Sequence, residues 1–180
     1  MNKEKFTVIG AGLTGPLLAT YLAQRGYSVE VFERRPDMRK ESISAGRSIN
    51  LALSARGNHA LKEVGLYDKI KAITIPMKGR MIHDLNGSTH LQPYGQKENE
   101  VIFSVSRAQL NMELMTLAEE TGNVNIRFNH HLLSADLDQN KLMFQSYDSL
   151  EEIELSFNRV IGCDGSADLS LIHISEPTRP

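Results

Sequence analysis

Two short apolar runs frame the start of the chain, Phe6-Thr7-Val8-Ile9 and Val29-Glu30-Val31-Phe32, with a glycine-rich break after the first. Runs this short, bounded by glycine, suit buried strands. Between them Leu17, Leu18, Tyr21 and Leu22 recur at helical spacing. Pro16 falls in the first turn, where the N–H it lacks would have no intrahelical partner, and Gly26 ends the run. The pattern predicts strand, turn, helix and strand over residues 5–33, with the helix starting near Gly15 and laying its leucine face on a sheet.

A polar, basic stretch from Arg34 to Arg47 leads to Ser48-Ile49-Asn50-Leu51-Ala52-Leu53 and a predicted helix from about Ala55 to Val64. Between Lys78 and Val105, Met81-Ile82-His83, Thr89-His90-Leu91 and Val101-Ile102-Phe103 read as strands broken by Asn86-Gly87 and a polar segment, an inserted antiparallel layer. Ser106 with Gln109 three places on is a capping-box signature, and Leu110, Leu114, Leu117 and Ala118 give the following helix an apolar face up to Gly122. Val124-Asn125-Ile126-Arg127-Phe128 alternates as a strand, two or three more follow between Leu132 and Phe157, and Arg159-Val160-Ile161-Gly162 is the last. Helices and strands in this order indicate an α/β fold.

Composition narrows the function classes. With 41% apolar and 23% charged residues, the 180-residue chain can build a core. Lys and Arg total 20 against 22 Asp and Glu, and a net charge of −2 offers no basic field for nucleic acid. No apolar run approaches the ~20 residues that span a bilayer, and Met1-Asn2-Lys3-Glu4-Lys5 does not read as a signal peptide. Cys163, the single cysteine, allows no internal disulfide, so a cytoplasmic setting is expected.

The strongest chemical signal is Gly10-Ala11-Gly12-Leu13-Thr14-Gly15, placed between a strand and a helix, with Glu33 ending the next strand. Gly10 permits a tight turn, Gly12 lets backbone approach a pyrophosphate, and Gly15 lets helix and strand pack closely. The helix N-terminus favours the phosphate charge, and Glu33 can accept from a ribose hydroxyl. This points to dinucleotide binding without separating FAD from NAD.

Arg159-Val160-Ile161-Gly162-Cys163-Asp164-Gly165 runs a strand into Gly-x-Asp-Gly, which resembles the second fingerprint of the flavoprotein aromatic hydroxylases, a motif that touches FAD and NADPH in those enzymes. Within that group the chain resembles the kynurenine 3-monooxygenase family. The matching blocks are Glu33-Arg34-Arg35-Pro36-Asp37, Gly46-Arg47-Ser48-Ile49-Asn50-Leu51-Ala52-Leu53-Ser54, Pro76-Met77-Lys78-Gly79-Arg80-Met81-Ile82-His83, Gln92-Pro93-Tyr94-Gly95 and Ser104-Val105-Ser106-Arg107. The resemblance covers about Phe6 to Gly165 and implies a Rossmann-like FAD-binding fold, with an incomplete antiparallel layer inserted from the substrate domain. It further implies a cytoplasmic monooxygenase of the kynurenine pathway that uses FAD, NADPH and O2 to convert L-kynurenine to 3-hydroxy-L-kynurenine.

The same resemblance implies roles by position. Arg80 and Tyr94 match the grip on the substrate carboxylate, for which a guanidinium fork and a phenol are suited donors. By residue type alone they would pass for a surface arginine and a half-buried strand tyrosine. Arg107 matches an FAD-contacting arginine, Ala52 and Leu132 match backbone or packing contacts to the flavin, and Arg34 follows Glu33 at the adenosine end. Asp164 and Gly165 complete the cofactor set; no side chain is assigned a catalytic role, because the flavin carries the oxygen chemistry. Residues 1–75 and 106–168 would form the FAD-binding domain, with 76–105 contributing β structure to the substrate site.

Several features are expected to be inert. His130 and His131 are adjacent, so on a strand they face opposite sides and do not suit a metal. His83 and His90 read as surface or hydrogen-bonded groups, Glu119 and Glu120 as a solvated helix end, and Cys163 as a small residue in a turn. After Gly165 the chain departs from the family: Asp168 and Leu171 stand where Ser and Arg belong, and Leu169 to Pro180 reads as a non-native tail. The expectation is an N-terminal portion of a longer enzyme, with an inactive dinucleotide-binding fragment or another aromatic hydroxylase of the same fold as alternatives.

Overall fold

A computed structural model describes residues 4–40, 49–97 and 100–165. The tail beyond Gly165 and residues Gly46 to Ser48 of the matching block lie outside the described residues. In chain order the elements begin with β1 (Lys5–Ile9), α1 (Thr14–Gln24), β2 (Ser28–Phe32), β3 (Asn50–Leu53), α2 (Ala55–Glu63) and α3 (Tyr67–Ala72). Then come β4 (Ile75–Met77), β5 (Gly79–His83), β6 (Thr89–Pro93), β7 (Ile102–Ser106) and α4 (Arg107–Glu120). The last are β8 (Val124–Arg127), β9 (His130–Asp136), β10 (Lys141–Ser146), β11 (Glu152–Ser156) and β12 (Arg159–Gly162). The chain divides into two compact units, one of Met1–Ser44 with Asn111–Pro180, the other of Ala45–Leu110.

The first unit carries a parallel sheet in the order β12-β1-β2-β8. Val8, Val29, Val31, Val124 and Ile126 supply its buried faces; Leu110, Leu114, Leu117 and Ala118 of α4 are buried as the sequence pattern predicts, and Met115 is buried with them. A second, antiparallel sheet, β11-β10-β9, closes on Ile9 and Phe32 through Leu132, Leu142 and Phe144. The Phe32 and Phe144 rings stack at 4.5 Å.

Two expectations are corrected here. The buried stripe of α1 is Pro16, Ala19, Thr20, Leu22 and Ala23, while Leu17, Leu18 and Tyr21 are only half-buried. The reason lies at Gly15, where an added Cβ would run into the Gly10 carbonyl oxygen; a helix this close to the turn presents its small residues to the sheet. Glu119 is not merely solvated: its carboxylate accepts from Arg39 Nη1 at 2.6 Å, and the same guanidinium holds the buried Asp37 through two nitrogens at 2.8 and 2.9 Å. That clip ties the segment after β2 to the last turn of α4.

The second unit contains β3, α2, α3 and the predicted 76–105 segment. Its strands form two sheets rather than one layer: β3-β7-β4, and a separate ribbon of β5 with β6. The ribbon turns at Asn86-Gly87, where Gly87 takes φ +84 and donates to the Asp84 carbonyl at 3.0 Å. Leu61, Val64, Leu66 and Ile70 make the helical pair's buried side. Ser106 caps α4, its Oγ accepting from the Gln109 N–H at 3.4 Å as the capping-box spacing predicts.

Candidate functional site

The site of interest lies at the carboxyl ends of β1, β2 and β12. β1 pairs with β2 on one side and β12 on the other, so the polypeptide crosses over in opposite directions from this point, the place where open α/β sheets form a crevice. Gly10 leaves β1 at φ +99, a conformation available to glycine, and its N–H donates to the Phe32 carbonyl at 2.7 Å.

Gly12 contrasts with its neighbours. Among the described residues, its chain neighbours aside, no atom lies within 4 Å of where its Cβ would stand, and its φ is not positive. Among the described residues, the space beside this backbone is open. The N-terminus of α1 follows at once, with no side-chain cap and no acidic residue in its first turn, which suits an anion.

Gly162-Cys163-Asp164-Gly165, far away in sequence, reaches the same place. Ile9 pairs with Gly162, the Cys163 N–H donates to the Ile9 carbonyl at 2.7 Å, and the Asp164 backbone packs against Gly10. An added Cβ at Gly10 would meet the Cys163 oxygen at 2.7 Å and the Asp164 nitrogen at 2.9 Å. The two fingerprints thus abut through backbone. Gly165 takes φ +110, and Asp164 is half-buried. The Cys163 thiol is pushed up from its ordinary range by burial and by the neighbouring Asp164 charge, the opposite of an activated thiolate.

Glu33 directly follows β2 and is 6% exposed. Its Oε2 accepts from the Ala11 N–H at 2.8 Å, and its Oε1 accepts from the Arg35 N–H at 3.0 Å and from Arg35 Nε at 2.8 Å. Burial alone would raise its pKa, but the hydrogen bonds from Arg35 and Ala11 outweigh it and hold the carboxyl below the usual range. A charged carboxylate is thereby fixed at the strand end, with acceptor capacity suited to ribose hydroxyls. Arg34 is exposed, and the guanidinium that reaches Glu33 belongs to Arg35.

Leu132 contributes its side chain to the core beside Ile9, Phe32 and Phe144. His130 packs edge-on against Phe32 at 5.7 Å, and His131 lies beside Tyr147 at 5.9 Å. Among the described residues no group of three His, Cys, Asp or Glu side chains is arranged for a metal.

The remaining predicted residues lie in the second unit. Gly79 to His83 pair with Pro93 to Thr89, Arg80 sits opposite Gln92, and the Tyr94 N–H extends the ladder to the Lys78 carbonyl at 3.0 Å. Alternation along both strands puts Arg80 and Tyr94 on one face of the ribbon. Gln92 Oε1 accepts from Arg80 Nε at 2.7 Å, and this bond orients the guanidinium. Both residues are exposed. Ala52 on β3 pairs with Ser104 on β7, and Arg107 opens α4 with its N–H donating to the Ile49 carbonyl at 3.0 Å.

Two site residues escaped the sequence reading. Arg35 could have been found, being two places from Glu33 on the same turn. Asn111 could not: its Nδ2 donates to the Ala11 carbonyl at 3.1 Å across 100 residues of sequence, and a lone asparagine in a helix carries no signal of its own.

Residues 4–170 match the family described as "FAD binding domain". The kynurenine 3-monooxygenase of Myxococcus xanthus (strain DK1622) is 49% identical over 167 residues, 92% of this chain and 36% of that protein. Kynurenine 3-monooxygenases of Legionella pneumophila (strain Corby) and Anopheles gambiae are 46% and 43% identical over 91% and 88% of the chain. The chain spans about a third of the length of these relatives, 36%, 36% and 33% respectively. Among solved structures, the flavin-dependent monooxygenase PieE in complex with FAD and substrate aligns with a TM-score of 0.77 at 16% identity, covering 96% of this chain and 32% of that one. The p-nitrophenol 4-monooxygenase PnpA from Pseudomonas putida DLL-E4 aligns with a TM-score of 0.73 at 19% identity, covering 93% and 42%. These structural likenesses establish the shared fold.

Proposed function

Because this chain belongs to the FAD binding domain family, we propose that it serves an FAD- and NADPH-dependent monooxygenase that hydroxylates L-kynurenine to 3-hydroxy-L-kynurenine. The observation that carries the substrate is the 49% identity to a kynurenine 3-monooxygenase across 92% of the chain. The bound flavin supplies the activation of O2, which no side chain can perform.

The chain's own residues bind and orient. The open backbone at Gly12 and the uncapped start of α1 would take the pyrophosphate, Glu33 would take the adenosine ribose, and the Asp164-Gly165 turn beside Gly10 would extend the cofactor cradle. The lowered pKa of Glu33 keeps it an acceptor at neutral pH. Arg80 and Tyr94, on one face of the β5–β6 ribbon, would hold the amino-acid carboxylate through charge-assisted bonds. Fixing that end of the substrate decides which ring carbon faces the flavin, so regiochemistry follows from orientation. The activity is assigned to the full-length protein; the 180-residue segment alone is proposed to lack it, since the kynurenine 3-monooxygenases it matches are more than twice as long.

The test is kynurenine-stimulated NADPH oxidation by the full-length protein and its Arg80→Ala variant. Losing a charge-assisted contact worth about 1.5–3 kcal/mol should raise the kynurenine KM by roughly 10- to 100-fold and leave FAD affinity unchanged. Stimulation by a phenolic acid but not by kynurenine would overturn the substrate, and an unchanged KM would remove Arg80 from the site.

A further inference from the structure

We infer that Asn111 is a positioning residue for the glycine turn: its side-chain amide holds the Ala11–Gly12 peptide in the orientation that presents the Gly12 N–H to the cofactor's phosphates. The inference rests on the reading that this turn receives FAD.

Ala11 lies between Gly10 and Gly12, residues that tolerate a wide range of backbone angles, so local sterics leave the intervening peptides free to rotate. Two buried side chains remove that freedom. Glu33 Oε2 takes the Ala11 N–H at 2.8 Å, and Asn111 Nδ2 donates to the Ala11 carbonyl at 3.1 Å. In a trans peptide the carbonyl and the next N–H point in opposite directions. Pulling the Ala11 oxygen toward Asn111 therefore aims the Gly12 N–H away from it. Gly12 is also the glycine of this turn with open space beside it.

The chemistry of Asn111 supports a positioning task over a packing one. The residue is 8% exposed and sits on a helix whose other buried side chains are Leu110, Leu114, Met115, Leu117 and Ala118. Its Nδ2 faces two acceptors, the Ala11 oxygen and, at 3.5 Å, the Met38 sulfur. Its Oδ1 is buried with no hydrogen-bond partner among the described residues. A buried amide with its acceptor half unpaired stabilises poorly, and a leucine would fill the place at less cost. What Asn111 offers that leucine cannot is the donor to Ala11.

The experiment uses the full-length protein stripped of flavin, with FAD affinity read from flavin fluorescence and folding from the melting temperature and circular dichroism. Asn111→Leu keeps the branched shape of the side chain and removes the donor. It is expected to stay folded, as read by circular dichroism, while the FAD Kd of the folded protein rises about tenfold, or about 1.4 kcal/mol.

Asn111→Asp supplies a second signature. As a carboxylate it repels the Ala11 carbonyl, whereas as a buried acid it donates an O–H to the same oxygen. The ratio of its FAD Kd to that of wild type should therefore fall as pH is lowered from 8 to 6. A folded Asn111→Leu with wild-type FAD affinity, or an Asn111→Asp ratio independent of pH, would overturn the inference. A wild-type protein that takes up no FAD would instead overturn the cofactor reading beneath it.

Discussion

Replacing Gly10 and Gly12 separately by alanine should split the glycine turn into a folding part and a binding part. At Gly10 the added methyl meets backbone on the neighbouring strand, the Cys163 oxygen at 2.7 Å and the Asp164 Cα at 2.8 Å, with φ at +99. Neither side yields easily, because the Cys163 N–H is bonded to the Ile9 carbonyl at 2.7 Å and the Gly10 N–H to the Phe32 carbonyl at 2.7 Å. A positive φ costs an L-residue about 1–2 kcal/mol, and forcing a methyl into a packed site about 1–3 kcal/mol, so Gly10→Ala should lose roughly 2–5 kcal/mol. For a chain of 150–250 residues, as this one is, each kcal/mol moves Tm by about 2–4 °C, so a loss near 3 kcal/mol lowers it by about 6–12 °C.

Gly12→Ala meets nothing within 4 Å among the described residues and needs no positive φ. Its Tm should hold or rise slightly, since alanine restricts the unfolded chain. The methyl fills the space through which phosphate approaches, so FAD affinity should fall at least tenfold, about 1.4 kcal/mol. Thermal melts of the apoprotein and flavin titrations of both variants make the comparison. Equal losses of Tm in the two variants, or wild-type FAD affinity in Gly12→Ala, would refute the reasoning.

Three other outcomes follow from the same structure. Glu33 has its carboxyl held below the ordinary range, so it adds stability that is present above the unfolded value near 4.3 and is lost as pH falls from there through the depressed folded value; Glu33→Gln should flatten the acid limb of a stability-against-pH curve, and an unaltered limb would contradict the assignment. Arg39→Ala leaves the buried Asp37 without its guanidinium and should cost on the order of 2 kcal/mol, while a double-mutant cycle with Glu119→Gln should give a coupling of only about 0.5–1 kcal/mol because that pair is partly exposed; a coupling of zero by urea denaturation would dismiss the Arg39–Glu119 clip. Phe144→Ala empties a fully buried site stacked on Phe32 and should destabilise by about 3–5 kcal/mol, against no more than about 0.5 kcal/mol for the exposed Leu85→Ala; similar losses in the two would mean the core is misplaced.

Much of this architecture was legible because its causes are local. The unit from β1 through α1 to β2 follows from two apolar runs and a glycine pattern, the β5–β6 ribbon from Asn86-Gly87, and the start of α4 from Ser106 and Gln109, each acting within a few residues. Glu33 was readable for the same reason, as an acidic residue ending the second strand of a recognisable unit. Arg80 and Tyr94 were legible only through family resemblance, and the ribbon's register then put them on one face.

What tertiary structure alone decided is how distant segments meet. Nothing local says that β12 pairs in parallel with β1, since parallel partners share no turn; yet that pairing sets Asp164 against Gly10 and brings the two fingerprints together. The buried side of α1 depended on how closely the helix approaches the sheet, and closeness selected Ala19 and Ala23 over Leu17 and Tyr21. Arg39 found Glu119, and Asn111 found Ala11, across 80 and 100 residues. The sequence by itself determined the elements and the kind of chemistry, because periodicity, capping and glycine turns act over short stretches of chain. The tertiary structure decided which polar groups hold the turn, because a buried donor takes whichever acceptor packing brings within reach.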